Sequence, residues 1–443
     1  MLATDRNRKD PDNGWKFSQC FGEKAESNDI VEVQFDHTGD YLATGDYGGR
    51  IVLFERNDGK KACEYRFLAE FQSHLGEFDY LKSCDIEERI NRIAWLKRSN
   101  NAHMLLSTND KTIKLWKISS KSIRAVAENN LGSGSRPSSV SELKLPKSIH
   151  HDTIYISNPK RIYQNAHQYN INAISVNSDG EHFISSDDLR VMLWNMDITQ
   201  ECFSNCCLTL DIVDLKQDIY DDSTDFITCS EMHPISCNML CYSTARGKLR
   251  LLDMRQDNSA DDRAKVFENP ADSKSFFSDV VASVSDVKFS PDGRHMIARD
   301  YMTIKLWDLH MESQPIKTMS IHDHLESKFC DLYDNDVIFD RFGVNFSGDG
   351  TQAVTGSYSN FFHAFNMKND TDTILQADKS MFRPRAIGSK EISPAEQSLL
   401  RRKEFFDVEK LDYNRRIFHT SWHPKEDTIA LAATNNLFLF HKN

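Results

Sequence analysis

Glycine and proline are scarce in this chain, at 18 and 11 of 443 residues. That scarcity excludes a collagen-like or low-complexity polymer, and a hydrophobic content of 39% excludes wholesale disorder. Ten cysteines are present, yet no pair has Cys-x-x-Cys spacing; Cys206 adjoins Cys207, and between Cys202 and Cys206 stand three residues. Zinc knuckles and thioredoxin-type motifs need that spacing, so the scatter fits reduced, mostly buried thiols of the cytosol or nucleus. No apolar run approaches the roughly eighteen residues of a membrane-spanning helix. The stretch from Met1 to Asn13 is polar and lacks the apolar core of a signal peptide. Basic excess is missing too: 54 Lys and Arg against 66 Asp and Glu leave a net charge of −12. Nucleic acid and anionic lipid are poor partners for such a chain, and cationic segments are better ones.

Catalytic signatures are equally absent. There is no GxxxxGK[S/T], GxSxG, HExxH or strand-associated GxGxxG. The close histidine sets, His150–His151 and His322 with His324, lack companions at metal spacing and read as turn or surface residues. The carboxylate pairs Asp187–Asp188 and Asp221–Asp222 suit side-chain-to-backbone bonds at turns better than acid/base chemistry. The expectation is a protein without enzymatic activity, cofactor or metal.

What the chain does have is a repeat. An apolar strand, a polar turn, a second strand ending in small residues, a short turn and a third strand ending on a large apolar residue recur seven times, at 31–54, 90–116, 172–194, 226–252, 284–307, 342–365 and 417–440. Length alone, at roughly 150 residues per domain, suggests about three domains. The repeat replaces them with one unit over 15–443. Asp179-Gly180, Asp292-Gly293 and Asp349-Gly350 supply the positive φ of tight strand connections. Small antiparallel sheets leave edges, which radial closure covers. A linear solenoid would need distinct capping repeats, and none is visible. The predicted fold is therefore all-β, a seven-bladed β-propeller, with WKFSQCF (15–21) adding an outer strand to the last blade.

Three insertions interrupt the repeat. Residues 131–160 predict a projecting hairpin with arms VSELKL (140–145) and TIYIS (153–157). Its apolar residues Leu143, Leu145, Ile154 and Ile156 require cover, from the propeller wall or from a partner chain. Residues 55–89 carry a cluster of carboxylates around Tyr80, and 366–412 is a polar insertion whose LLRRKEFF (399–406) reads as a solvated helix-like excursion.

Specific strings then resemble a known family. EFDYLKS (77–83), LLSTNDKTIKLWKIS (105–119), SDDLR (186–190), SDVKFS (285–290), YDNDVIFDRF (333–342), TGSYSNFF (355–362) and HPKE with ATNNL (423–437) are similar to the WD-repeat B-type regulatory subunits of protein phosphatase 2A. The similarity runs from about Trp15 to the C-terminus and includes the insertions. It implies a propeller whose hairpin docks on the helical-repeat scaffold subunit, while a separate metal-dependent catalytic subunit performs the dephosphorylation. It also implies an acidic groove on one propeller face that takes basic segments of phosphoprotein substrates, built from Glu26, Asp85, Glu87, Arg89, Tyr169, Asn170, Asp188, Asp221, Ser223, Phe226, Asp334, Phe339 and Arg341. The chain departs from the family's usual residues at Tyr47, Asn170 and Ser223, where Lys, His and Leu are common, and these positions bear on substrate preference. Residue by residue, Asp110 and Asp188 each precede a strand-ending Trp by six positions, where a turn-fixing Asp is often found, so Asp188 reads equally as turn stabiliser and groove member. Glu87 and Asp334 have no turn role and read as partner contacts, whereas Phe226 and Phe339 read as core aromatics. A propeller adaptor of a ubiquitin ligase or an RNA-processing complex is the competing reading, followed by a hydrolase at a propeller centre.

Overall fold

The computed structural model describes residues 14–22, 28–57, 63–80, 82–97, 102–128, 139–142, 147–197, 210–215, 225–255, 264–268, 277–378 and 402–442. Among them are seven four-stranded antiparallel sheets, one for each sequence repeat. The first comprises Ile30–Phe35, Tyr41–Asp46, Arg50–Arg56 and Tyr65–Gln72, and the second Arg92–Trp95, His103–Thr108, Ile113–Glu128 and Lys147–Tyr163. Ala173–Val176, His182–Ser186, Arg190–Asn195 and Leu210–Asp214 form the third; Ile227–Met232, Met239–Thr244, Leu249–Asp253 and Lys265–Phe267 form the fourth. The fifth is Val284–Phe289, His295–Asp300, Thr303–Asp308 and Lys317–Ser320, and the sixth Val344–Phe346, Gln352–Gly356, Phe361–Asn366 and Thr371–Gln376. Thr420–Trp422, Thr428–Ala433 and Asn436–Lys442 make the seventh, and the N-terminal strand Trp15–Gly22 pairs antiparallel with Asn436–Lys442 at its outer edge. First strands neighbour one another in chain order, with that of the seventh sheet against that of the first. This is β-propeller architecture.

Apolar faces explain the stacking. Strand residues are buried on both pleat faces, so each sheet packs against two neighbours. Between the first and seventh sheets, Val33, Phe35, Leu42, Phe54 and Tyr65 meet Ala430, Ala432, Leu437 and Leu439. Trp15 packs edge-on against Trp422 with ring centroids 5.4 Å apart, anchoring the N-terminal strand over what would otherwise be an open edge. Gly293 marks one tight turn: its φ is +68°, and a Cβ there would lie 2.5 Å from His233 Cε1.

A polar relay fixes the turn between second and third strands. In the third sheet, Trp194 Nε1 donates to Ser185 Oγ (2.7 Å), Ser185 meets His167 Nε2 (2.6 Å), and His167 Nδ1 donates to Asp187 Oδ2 (3.0 Å). Asp187 Oδ1 accepts the backbone N–H groups of Leu189 and Arg190. The turn-fixing carboxylate is thus Asp187 and not Asp188. At the matching place in the second sheet, Asn109 and not Asp110 accepts the amides of Lys111 and Thr112, and in the fifth Asp300 accepts those of Met302 and Thr303. The position lies seven residues before the Trp in all three sheets, where the side chain accepts the amides two and three residues further on.

His322 also departs from the surface reading. It is fully buried, with Nδ1 donating to the Tyr301 carbonyl (2.7 Å) and Nε2 meeting Ser357 Oγ (2.8 Å), while His324 packs on Phe405. Phe405 corrects the reading of the third insertion as well: residues 402–406 form a helical turn that buries this ring among Phe361, His324 and His363.

The hairpin projects from the second sheet, but its arms differ from those read in the sequence. The third and fourth strands of that sheet run on past its edge and stay paired from Ile113↔Tyr163 to Glu128↔Lys147. The first arm is therefore the continuous strand IKLWKISSKSIRAVAE, whose serines disguise its alternation; Val140–Glu142 is a single 3-10 turn, and Leu143 and Leu145 lie outside the described residues. Tyr155 at the base packs against the core shared by the first and second sheets, as do Leu68 and Phe71 of the first. Further out, Ile123, Val126, Ile149 and Ile154 are exposed, Ile149 by 58% and Ile154 by 47%, and Ile156 is half-buried.

The relay makes the two adjacent aspartates distinguishable by mutation. Asp187→Ala leaves His167 and two turn amides without an acceptor, at about 1–3 kcal/mol for each orphaned group, whereas Asp188→Ala removes one half-buried contact; denaturant midpoints of the two variants should differ clearly, with Asp187→Ala the lower. A second prediction concerns pH. His74, whose turn has Asn109 in place of a carboxylate, is pushed down to about 3 by burial and by Lys114, and burial pushes His324 down to about 4. A histidine kept neutral in the fold but free to protonate when unfolded costs stability once pH falls below about 6.5, by at most about 1.4 kcal/mol per pH unit per group. Urea midpoints should fall between pH 7 and pH 5, and His74→Gln should shallow that slope.

Candidate functional site

Antiparallel connectivity sorts the loops by end. The turn between second and third strands and the connection from each fourth strand to the next sheet share one end; the remaining turns, and the hairpin, share the opposite end. Backbone bonds tie the first set together: the amides of Ile90, Ile171 and Ile227 donate to the carbonyls of Asp46, Asp110 and Asp188 on the preceding sheet. Every candidate groove residue that is described falls in this first set.

Ten of the thirteen are described; Glu26, Asp221 and Ser223 lie outside the described residues. Asp85 and Glu87 are exposed on a small hairpin, Glu77–Asp79 paired with Cys84–Ile86, and Arg89 follows it half-buried. Lys82 and Lys111 both donate to the Gln168 carbonyl, at 3.4 and 2.8 Å, which fastens this hairpin beside exposed Tyr169 and Asn170. Asp188, released from the turn, accepts from Asn172 Nδ2 at 2.8 Å, and Asp110 accepts from Asn91 Nδ2 at the same distance. The Ala245 amide bonds the Phe226 carbonyl, so Phe226 sits at the next turn. Asp334 ends the short helix Phe329–Asp334, and the neighbouring Tyr333 ring lies 5.7 Å from Phe339.

Phe226 and Phe339 are not core residues. They are 51% and 52% exposed, because Ile227 and Ile338 beside them fill the buried positions. The candidates Arg89, Asn170, Phe339 and Arg341 line one cavity of about 430 Å³ with Tyr47 and Asp110, and sequence reasoning missed Arg92 and Arg416 on the same lining. Below it a second cavity of about 250 Å³ is lined by Glu32, Arg92, Glu231, Asp286, Lys288 and His419. Burial alone would raise Glu32, but His419 (2.8 Å) and Arg92 (3.4 Å) hold its carboxyl below the usual range. Lys288 pairs with Glu231 at 2.8 Å and Arg416 with Asp340. The only signal for this centre was the placement of charged residues within first strands, where apolar ones are usual.

No group of three or more His, Cys, Asp or Glu among the described residues is arranged to hold a metal ion. The site's described residues make a surface of carboxylates, exposed aromatics and guanidinium groups, with no nucleophile held against a base among them.

Fold and site together define a WD-repeat protein. The family model for the WD domain, G-beta repeat, matches residues 158–195 and 277–308. Over 97% of its length the chain is 50% identical to a Schizosaccharomyces pombe protein named as the regulatory B subunit of protein phosphatase PP2A, covering 98% of it. A Candida tropicalis protein of the same name is 44% identical (96% of this chain, 99% of that one), and the Dictyostelium discoideum serine/threonine-protein phosphatase 2A regulatory subunit phr2AB is 41% identical (96% and 98%). The chain belongs to the family of regulatory B subunits of protein phosphatase 2A.

Proposed function

We propose that this chain is a non-catalytic regulatory component of a protein phosphatase 2A holoenzyme, which captures cationic segments of phosphoproteins on its carboxylate-bearing end and presents them to a separate catalytic subunit. The observation that carries this reading is the sorting of loops: Asp85, Glu87, Asp188 and Asp334 share one end of the sheets, and the hairpin leaves from the other. A helical-repeat scaffold held by the hairpin leaves the first end open to substrate. Clustered exposed carboxylates raise the local concentration of Lys- and Arg-rich segments and speed their encounter. Exposed Tyr169, Phe226 and Phe339 add apolar contact area beside those charges.

Reversing two carboxylates tests the first half. Glu87→Lys with Asp334→Lys should weaken capture of a basic phosphopeptide roughly tenfold in dilute buffer, and the difference should shrink near 1 M salt, where the Debye length is about 3 Å. Equal capture by variant and parent in dilute buffer would remove the groove from the account. Ile149→Asp with Ile154→Asp tests the second half. Both side chains are exposed, so melting should hardly change while co-elution with purified scaffold is lost; retained co-elution would show that the hairpin is not the attachment.

A further inference from the structure

The protein is acidic, yet the cavity at the centre of its carboxylate-bearing end is not. Four arginines, Arg89, Arg92, Arg341 and Arg416, line it against two carboxylates, Asp110 and Asp340. Arg416 is engaged by Asp340, and Arg92 by Glu32 in the cavity below. Two guanidinium groups remain with no carboxylate partner among the described residues. Arg89 lies over the Tyr47 ring, its Cζ 4.6 Å from the centroid, and Nη1 donates to the Tyr47 hydroxyl at 2.9 Å. Its Nε is buried with no hydrogen-bond partner among the described residues, in a side chain that lines the cavity. Arg341 is exposed on the same lining. Two guanidinium groups on the lining of one cavity suit the oxygens of a phosphate, to which a guanidinium donates charge-assisted N–H bonds.

We propose that this arginine-lined mouth binds a phosphate group, either that of a phosphorylated side chain on the captured protein or free inorganic phosphate. The inference deepens the substrate-capture reading and rests on it for the first source only. On that source the surface is bipartite: the carboxylate rim takes the basic run, and the centre holds a phosphate at a site separate from the one undergoing hydrolysis. A substrate carrying two phosphates is then retained while one is removed.

The test uses the full chain and two probes. Inorganic phosphate, titrated calorimetrically at constant ionic strength, should bind the parent, and bind Arg89→Gln/Arg341→Gln at least about tenfold more weakly. A basic peptide is then compared with and without a phosphoserine beside its basic run. Tighter binding of the phosphorylated form by parent, lost in the arginine variant, identifies the captured protein as the source; phosphate binding without that preference identifies the free ion. If neither probe distinguishes parent from the arginine variant, the proposal is overturned, while the effect of Glu87→Lys on the unphosphorylated peptide reports separately on the rim. Circular dichroism and melting of the arginine variant, in which both replaced groups reach solvent or the cavity, verify that its fold is kept.

Discussion

Four antiparallel strands per sheet, entered at the same end every time, is the constraint on which the rest of this molecule depends. Once the first strand of each sheet runs away from the connection that delivers it, the second-to-third turn must return to that end and the third-to-fourth turn must leave from the other. No side chain chooses this. It follows that the connection after a fourth strand that carries the small hairpin Glu77–Asp79 with Cys84–Ile86, and the prolonged third and fourth strands that reach Glu128 and Lys147, emerge at opposite ends. A chain built this way can hold one partner by the extended strands of the second sheet and offer the other end to a second partner without either obstructing the other.

The constraint holds only if the turns are rigid, and here the buried polar relay matters. Trp194, Ser185, His167 and Asp187 satisfy one another in a space that excludes water, and the last of them also holds the turn amides. Where Asn109 replaces the carboxylate, the turn is kept by the same amide bonds, but His74 meets Ser73 and the charge of Lys114 instead of an anion, and its basicity falls accordingly. The adjacent Asp110 and Asp188 are thereby free to bond Asn91 and Asn172 on the rim of the central cavity. A fold-determining residue and a surface carboxylate stand side by side in sequence and point opposite ways, as consecutive residues of extended chain do.

Much of this was legible beforehand. The seven repeats were visible because strand alternation, Asp-Gly turns and terminal aromatics recur together, and each repeat became one sheet. Strings such as EFDYLKS and YDNDVIFDRF carried the family. Positions shifted by one residue were misread: the residue that fixes the turn stands seven positions before the strand-ending Trp in the second, third and fifth sheets, and not six, so Asp187 and not Asp188 faces inward. The hairpin's first arm was hidden by serines in ISSKSIRAVAE, since pairing over that length is maintained by its partner strand and not by its own apolar pattern. Phe226 and Phe339 looked like core because aromatics usually are, while their exposure is set by the isoleucines beside them. Of the arginine-lined centre only Arg89 and Arg341 were reached, through the family resemblance; Arg92 and Arg416 were not, as its members come from residues as far apart as 89 and 416.

The division of labour between the two ends is tested most directly by hydrogen–deuterium exchange on the full chain, alone, with purified scaffold, and with a basic phosphopeptide. The account predicts slowed exchange at 118–128 and 147–160 with scaffold, and at 79–89, 168–172 and 333–341 with peptide, with little overlap. Protection of the same segments by both partners would contradict it.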